Sequence, residues 1–245
     1  MMEIEKHLNA KGRSVLIISD LHIPYHHQDS VRFLAAIKEK LLSERSIIVN
    51  VGDEVDKHDL SMHPSNHDLD SAGVELEKSK GYIKEIERLF PKMDICESNH
   101  GALIYRRAKK DGIPLDYLKP LNEVYEVKRW AWHDAIILST KKGPVYICHG
   151  KSASFGKLCK EVGMSAVQGH YHGKFSLNWY RNPRGVDRFD MYVGCLIDYK
   201  HLAFEYGKNN LPKPILGVGY IDEDGNPYLI KMSLDKKGRW DGLIV

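Results

Sequence analysis

Asp20 and His22 stand directly after an apolar run, SVLIIS at 14–19. Asp53 and Asp56 follow SIIVNVG at 46–52, and Asn99 and His100 follow MDIC at 93–96. His149 follows VYIC, and His170 and His172 follow SAVQ. One such residue means little. An aspartate at a strand end usually caps a turn or a helix, and a histidine after an apolar run is often buried and hydrogen-bonded. The repetition of the placement carries the weight. Asp20, His22, Asp53, Asn99, His149, His170 and His172 offer two carboxylates, one amide oxygen and four imidazoles, with His100 left over. This oxygen and nitrogen set, without thiolate, suits first-row divalent metals such as Mn, Fe, Co, Ni or Zn. Seven ligands exceed what one such ion usually takes, and a carboxylate shared between two ions accounts for the number. Asp53 is the candidate bridge, because Gly52 before it lets the backbone approach closely.

Convergence of these residues requires strands whose carboxyl ends lie side by side, as in an open α/β sheet. The chain supplies the elements. Strands are expected at 14–19, 46–52, 93–96, 135–140 and 143–150, with alternating segments near 175–181, 189–193 and 215–221. Helical spacing of Leu34, Ile37 and Leu41 predicts a helix over 29–42, with Asp29 or Ser30 as N-cap. Helices are also expected around 74–90, 102–111 and 154–161, and the polar stretch 57–70 reads as a loop. The first half thus alternates strand and helix, and the second is strand-rich. The expected fold is an α/β sandwich: two mixed β-sheets flanked by helices in four layers, α-β-β-α, with the metal site at strand carboxyl ends. Continuous apolar strands fit sheets covered on both faces. No repeat or linker divides residues 1–245, so one domain is expected.

The bulk properties bound the function. Of 245 residues, 36 are basic and 33 acidic, a net charge of +3. That balance does not imply a nucleic-acid coat, and nucleic acid is not expected as a stable partner. Cys96, Cys148, Cys159 and Cys195 form no CxxC pair and read as buried free thiols in a reducing compartment. No secretory leader is read at the start, and no segment approaches the ~20 apolar residues that span a bilayer. No membrane partner is expected and a cytoplasmic location is, in the host if the chain is phage-encoded. A homo-oligomer is left open.

The ordered set Asp20-Leu-His22, Gly52-Asp53-Glu-Val-Asp56, Asn99-His100, His149 and Gly169-His170-Tyr-His172 resembles the signature of the calcineurin-like metallophosphoesterases. The motifs span about residues 18–173. Each piece alone is common, and the order is specific. The resemblance implies two metals, Mn first among Fe, Co, Ni, Zn and Mg. The first would take Asp20, His22, Asp53 and His172. The second would take Asp53, Asn99, His149 and His170. It also implies attack on phosphorus by a hydroxide bridging the two metals, with His100 near the leaving group as general acid or phosphoryl donor. Two residues depart from the pattern. The family usually has Gly-Asn-His followed by an acid, whereas Ser98 and Gly101 flank Asn99-His100 here. The missing acid would orient the histidine, and Asp56 or a loop carboxylate is the candidate replacement.

The chain is similar to compact phage and bacterial members, some of which are deoxynucleoside 5′-monophosphatases. The resemblance therefore implies a phosphomonoesterase acting on a small phosphorylated substrate, a nucleoside 5′-monophosphate. The alternative is a phosphodiesterase or nuclease acting on cyclic nucleotides or DNA. A third reading is a scaffold that has lost activity, although every ligand position is intact. His67 in the 57–70 loop, and Arg106 and Arg107 on the helix after His100, are candidate substrate contacts. A solvated helix face explains the two arginines equally well.

Overall fold

The computed structural model describes residues 5–61, 68–207 and 211–244. In chain order the strands are β1 (Glu5–Asn9), β2 (Val15–Ile18), β3 (Ile47–Asn50), β4 (Met93–Cys96), β5 (Trp130–His133) and β6 (Ala135–Thr140). They continue with β7 (Gly143–Cys148), β8 (Ser165–Gln168), β9 (Phe175–Arg181), β10 (Asp187–Val193), β11 (Gly217–Ile221) and β12 (Pro227–Lys231). The α-helices are α1 (Ser30–Leu41), α2 (Ala72–Leu89), α3 (Leu103–Lys110), α4 (Leu121–Val124) and α5 (Lys157–Val162).

The strands form two six-stranded sheets, β1-β6-β7-β8-β10-β9 and β12-β11-β2-β3-β4-β5. Both are mixed. In the second sheet β2, β3, β4 and β5 run parallel, while β11 and β12 are antiparallel. In the first, β7, β8 and β10 run parallel, β9 is antiparallel to β10, and the parallel pair β1 and β6 runs antiparallel to β7.

Side chains alternate across each strand, and this alternation builds the layers. Val15 and Ile17 of β2 meet Ile136, Leu138, Val145 and Ile147 of β6 and β7 in a core between the sheets. Leu16 and Ile18 face the other way, onto Phe33, Leu34 and Ile37 of α1 and Ile83 and Ile86 of α2. Ala135, Ile137, Tyr146 and Cys148 turn to a third core against Leu158 and Cys159 of α5. Three apolar interfaces thus separate four layers, helix, sheet, sheet and helix, as the sequence leads one to expect. A strand covered on both faces has no polar side to show, which is why β2 reads as an unbroken apolar run.

Three strands escape the sequence reading. β1 and β12 are edge strands, and β5 (WAWH) lies at the end of its sheet beside β4. β1 (EKHLN) is half exposed, and its pairing with β6 fixes it more than its own composition does. The predicted helix at 154–161 starts late, at Lys157. Gly156 before it has φ +71° and gives its N–H to the buried Asp190 carboxylate at 2.7 Å, so no helical turn precedes it. All four cysteines are free and buried. Among the described residues, no helix is long and apolar enough to cross a membrane.

Asp29 does precede α1, but its carboxylate caps nothing. It binds Arg239 through Nε at 2.7 Å and Nη2 at 2.5 Å, and accepts the Trp240 N–H at 3.0 Å. This pins the C-terminal segment to the start of α1. The Arg239 bond holds the Asp29 carboxyl down at about 2, below the usual carboxylate range. A carboxyl depressed in the folded state stabilises above its unfolded value and loses that contribution as pH falls through the folded one. Asp29→Asn is therefore expected to lower Tm at neutral pH by roughly 2–4 °C, a modest pair effect for a chain this size. The gap to wild type should close as thermal unfolding is repeated from pH 4 down to pH 2.

Candidate metal centre

The turns that leave β2, β3, β4, β7 and β8 interlock. Asp20 N–H donates to the Gly52 carbonyl at 3.2 Å, His22 N–H to the Asp53 carbonyl at 2.9 Å, and Asp56 N–H to the Ile23 carbonyl at 2.9 Å. In the other sheet, Gly169 N–H donates to the His149 carbonyl at 2.8 Å, and the His170 N–H crosses the sandwich to Asp20 Oδ2 at 2.9 Å. Six described non-glycine residues hold φ in the left-handed region, and four of them are Asp20 (45°), His22 (48°), Asp53 (50°) and His170 (65°). Each such residue costs about 1–3 kcal/mol that glycine would not. Their side chains are retained at positions where the backbone prefers none. Gly52 is required in turn: at φ +111°, a Cβ there would lie 2.6 Å from Ser98 Cβ.

All seven candidate ligands come together. His172 Nε2 lies 3.1 Å from Asp20 Oδ1, and His22 Nε2 lies 3.9 Å from the same oxygen and 3.5 Å from Asp53 Oδ2. On the other side of Asp53, His149 Nε2 lies 3.1 Å from Oδ2 and 2.7 Å from Asn99 Oδ1. Ligand atoms of Asp20, His22 and His172 lie within 4.8 Å of one another, as do those of Asp53, His149 and His170. These are two clusters able to hold divalent metal, and Asp53 lies between them.

The surroundings fit that use. His22 Nδ1 donates to Asp56 Oδ1 at 2.5 Å, so its lone pair is on Nε2, and that atom is buried without a hydrogen-bond partner. His149 Nδ1 donates to the Val51 carbonyl at 3.0 Å, which turns Nε2 toward Asp53 and Asn99. Metal-binding imidazoles are commonly set by such a bond from the second nitrogen. Burial alone would raise the carboxyls of Asp20 and Asp53, but His172 and His149 outweigh it and hold both below the usual range. Burial would lower the His149 imidazole, yet the Asp53 charge beside it holds it up at about 9. The carboxylates are therefore ionised and ready to ligate.

His100 stands beside this set. Its N–H bonds Asp53 Oδ1 at 3.1 Å, and its ring packs edge-on to His22 with centroids 4.7 Å apart. Ligand atoms of His100, His22 and Asp53 also lie within 4.8 Å of one another. However, Nδ1 donates to the Asp56 carbonyl, with Asp56 Oδ1 at 3.5 Å, which leaves Nε2 to the cleft that His100 lines. Asp56 thus orients His100 and His22 together, the task an acid at position 101 was expected to perform. Its place in GDxxD is the only sequence signal of that role. A side chain at position 101 would displace the Ser98 hydroxyl: a Cβ there would meet Ser98 Oγ at 2.9 Å, and that hydroxyl accepts the Gly101 N–H at 3.0 Å. Ser98 and Gly101, the two residues that depart from the expected pattern, thus meet in one contact.

Lys57 carries no sequence signal at all. Its buried ammonium donates to the carbonyls of His100 (3.1 Å) and Gly101 (2.9 Å) and holds their turn from behind. Burial lowers this ammonium and raises the neighbouring Glu54 carboxyl. Arg107 also faces inward to structure, with Nε on the Leu60 carbonyl and Nη2 on the Ser61 carbonyl, both at 2.7 Å. Arg106 is exposed and lines neither cleft described next. His67 lies outside the described residues.

His22, Asp53, Asn99, His100, His170 and His172 open onto a cleft of about 1110 Å³, walled by residues 197–205 and 211–214. Asn99, His149 and His170 also border a second cleft of about 440 Å³, with Glu97, Asp134 and Lys151.

No protein-family model and no curated protein matches this chain. Among solved structures, vacuolar protein sorting 29 from Cryptosporidium parvum is similar over 95% of this chain and 94% of that one, with 13% identity and a TM-score of 0.46. A likeness at that level bears on neither activity nor ligand.

Proposed function

We propose that this chain is a dimetal phosphoric ester hydrolase that releases phosphate from nucleoside 5′-monophosphates, with Mn as the metal of first choice. The observation that carries the reading is the meeting of Asp20, His22, Asp53, Asn99, His149, His170 and His172 from five strand ends, with Asp53 between two clusters. A pair of divalent ions there would supply Lewis acidity toward the phosphoryl oxygens and an activated water. The residues do the rest. Asp20 and Asp53 supply negative charge, and His22, His149, His170 and His172 would supply ring nitrogens, with His149 losing, when metal binds, the proton that Asp53 otherwise holds on it. His100 offers Nε2 to the oxygen that leaves, with its ring fixed by Asp56. In-line displacement needs positioning and charge stabilisation more than covalent help from protein.

The smaller cleft favours one second reading. It gives room on the far side of the centre for another ester arm, as a phosphodiesterase would need. Hydrolysis of a mono- and a bis-ester of the same chromogenic phenol, with Mn added, separates the two. Preference for the diester overturns the first reading. Less than one ion per chain after Mn addition overturns both and favours a scaffold.

A further inference from the structure

His201 lies on the wall of the larger cleft, away from the ligand set. Its ring is held on two counts, and its backbone on a third. Tyr25, almost wholly buried, stacks on it with centroids 4.5 Å apart and an interplanar angle of 27°. The Ala203 N–H donates to its Nδ1 at 3.2 Å, and the His201 backbone N–H donates to the Asp198 carbonyl at 2.9 Å. A nitrogen that accepts an N–H bond carries no proton, so the ring proton is on Nε2. Among the described residues, Nε2 meets no partner. His201 therefore presents a fixed N–H donor on an aromatic ring whose rotamer is locked.

The same segment touches the metal centre. Phe204, three residues on, packs edge-on to the ring of His22 with centroids 5.5 Å apart. The 3₁₀ turn at Leu202–Gly207 thus sets His201 at a constant offset from a candidate ligand. Around His201 the wall carries Ile197, Tyr199, Leu202 and Pro214, with Lys200, Glu205 and Lys213 between them. A donor edge beside Tyr199 and these apolar side chains suits a planar heteroaromatic group that carries an acceptor nitrogen or carbonyl.

We infer that His201 is a specificity residue, and that its wall of the cleft binds the nucleobase of a nucleotide whose phosphate lies at the metal centre. Stacking against Tyr199 and one bond from the in-plane Nε2–H of His201 to a ring nitrogen or carbonyl oxygen make the contact. This deepens the proposed function and rests on it for the position of the phosphate.

The test compares nucleosides with ribose on the full Mn-loaded chain. Titration calorimetry of adenosine and of uridine is expected to show binding at least tenfold tighter than ribose. His201→Ala should weaken nucleoside binding about tenfold and lower kcat/KM for adenosine 5′-monophosphate relative to ribose 5-phosphate by a similar factor. His201→Phe keeps a ring against Tyr25 and loses the donor, so about threefold weaker nucleoside binding is expected. Nucleoside binding no tighter than ribose in wild type overturns the inference, as does an equal loss for nucleoside and ribose in His201→Ala. A His201→Phe chain that binds like wild type overturns the donor role. Phosphate release from ribose 5-phosphate without nucleoside binding removes the inference and leaves the hydrolase. His201-dependent nucleoside binding without phosphate release from any ester removes the hydrolase and leaves the base site.

Discussion

Asp53→Asn is expected to leave a folded chain that holds at most one divalent ion and has lost turnover by about 10³–10⁵. The variant is chosen so that little else changes. Asn tolerates a left-handed backbone better than most residues, and φ at position 53 is 50°. An amide oxygen still accepts the His100 N–H that Asp53 Oδ1 now accepts, and the main-chain carbonyl of position 53 still takes the His22 N–H. What disappears is one negative charge, 3.1 Å from His149 Nε2 on one side and 3.5 Å from His22 Nε2 on the other. If both clusters use that charge, its loss weakens both. Losing several kcal/mol of phosphoryl charge stabilisation corresponds to about three to five decades in rate. Metal per chain after Mn loading and dialysis, by elemental analysis, is read beside phosphate release and Tm. Two tightly held ions per chain in Asp53→Asn would show that the carboxylate is not shared.

How far this site is legible in sequence depends on which physical signal each residue leaves. Asp20, Asp53 and His149 end runs that are apolar on both faces, because β2, β3 and β7 lie inside a four-layer sandwich. A polar residue after such a run stands out, and its address at a strand carboxyl end follows from the run itself. Asp56 is half legible. Its spacing from Asp53 is visible, but its partners His22 and His100 lie 34 and 44 residues away and meet it only through the folded turns. Lys57 is illegible for the same reason, since its partners are main-chain carbonyls, which every residue has. Arg107 marks the opposite limit. A cation on a helix near the site looks like an anion binder, and nothing in its type tells that the Leu60 and Ser61 carbonyls hold it. The same holds for β1 and β12, whose strand character comes from a neighbour's free edge more than from their own residues.

His100→Ala should fail in a different way from Asp53→Asn. Both ions are expected to stay, because His100 lies outside the proposed ligand set and its backbone N–H to Asp53 survives truncation. The loss is expected in kcat, and its size should follow the leaving group. An imidazole placed as general acid contributes about 10²–10⁴ where the departing oxygen needs a proton. The 5′-oxygen of a nucleotide leaves as an alkoxide and should show that full range. A nitrophenolate carries its charge without help, so its loss should be about tenfold or less. An equal loss for both esters would move His100 from proton donor to charge stabiliser of the phosphoryl oxygens. Loss of one ion would make it a ligand, which its distance to His22 and Asp53 permits. Asp56→Asn supplies the contrast. It strips the charged acceptor from His22 Nδ1, so metal affinity should fall about 10–100-fold while the backbone carbonyl still orients His100. Saturating Mn should then recover most of the turnover lost in Asp56→Asn and none of that lost in His100→Ala, because only the first has lost its hold on metal.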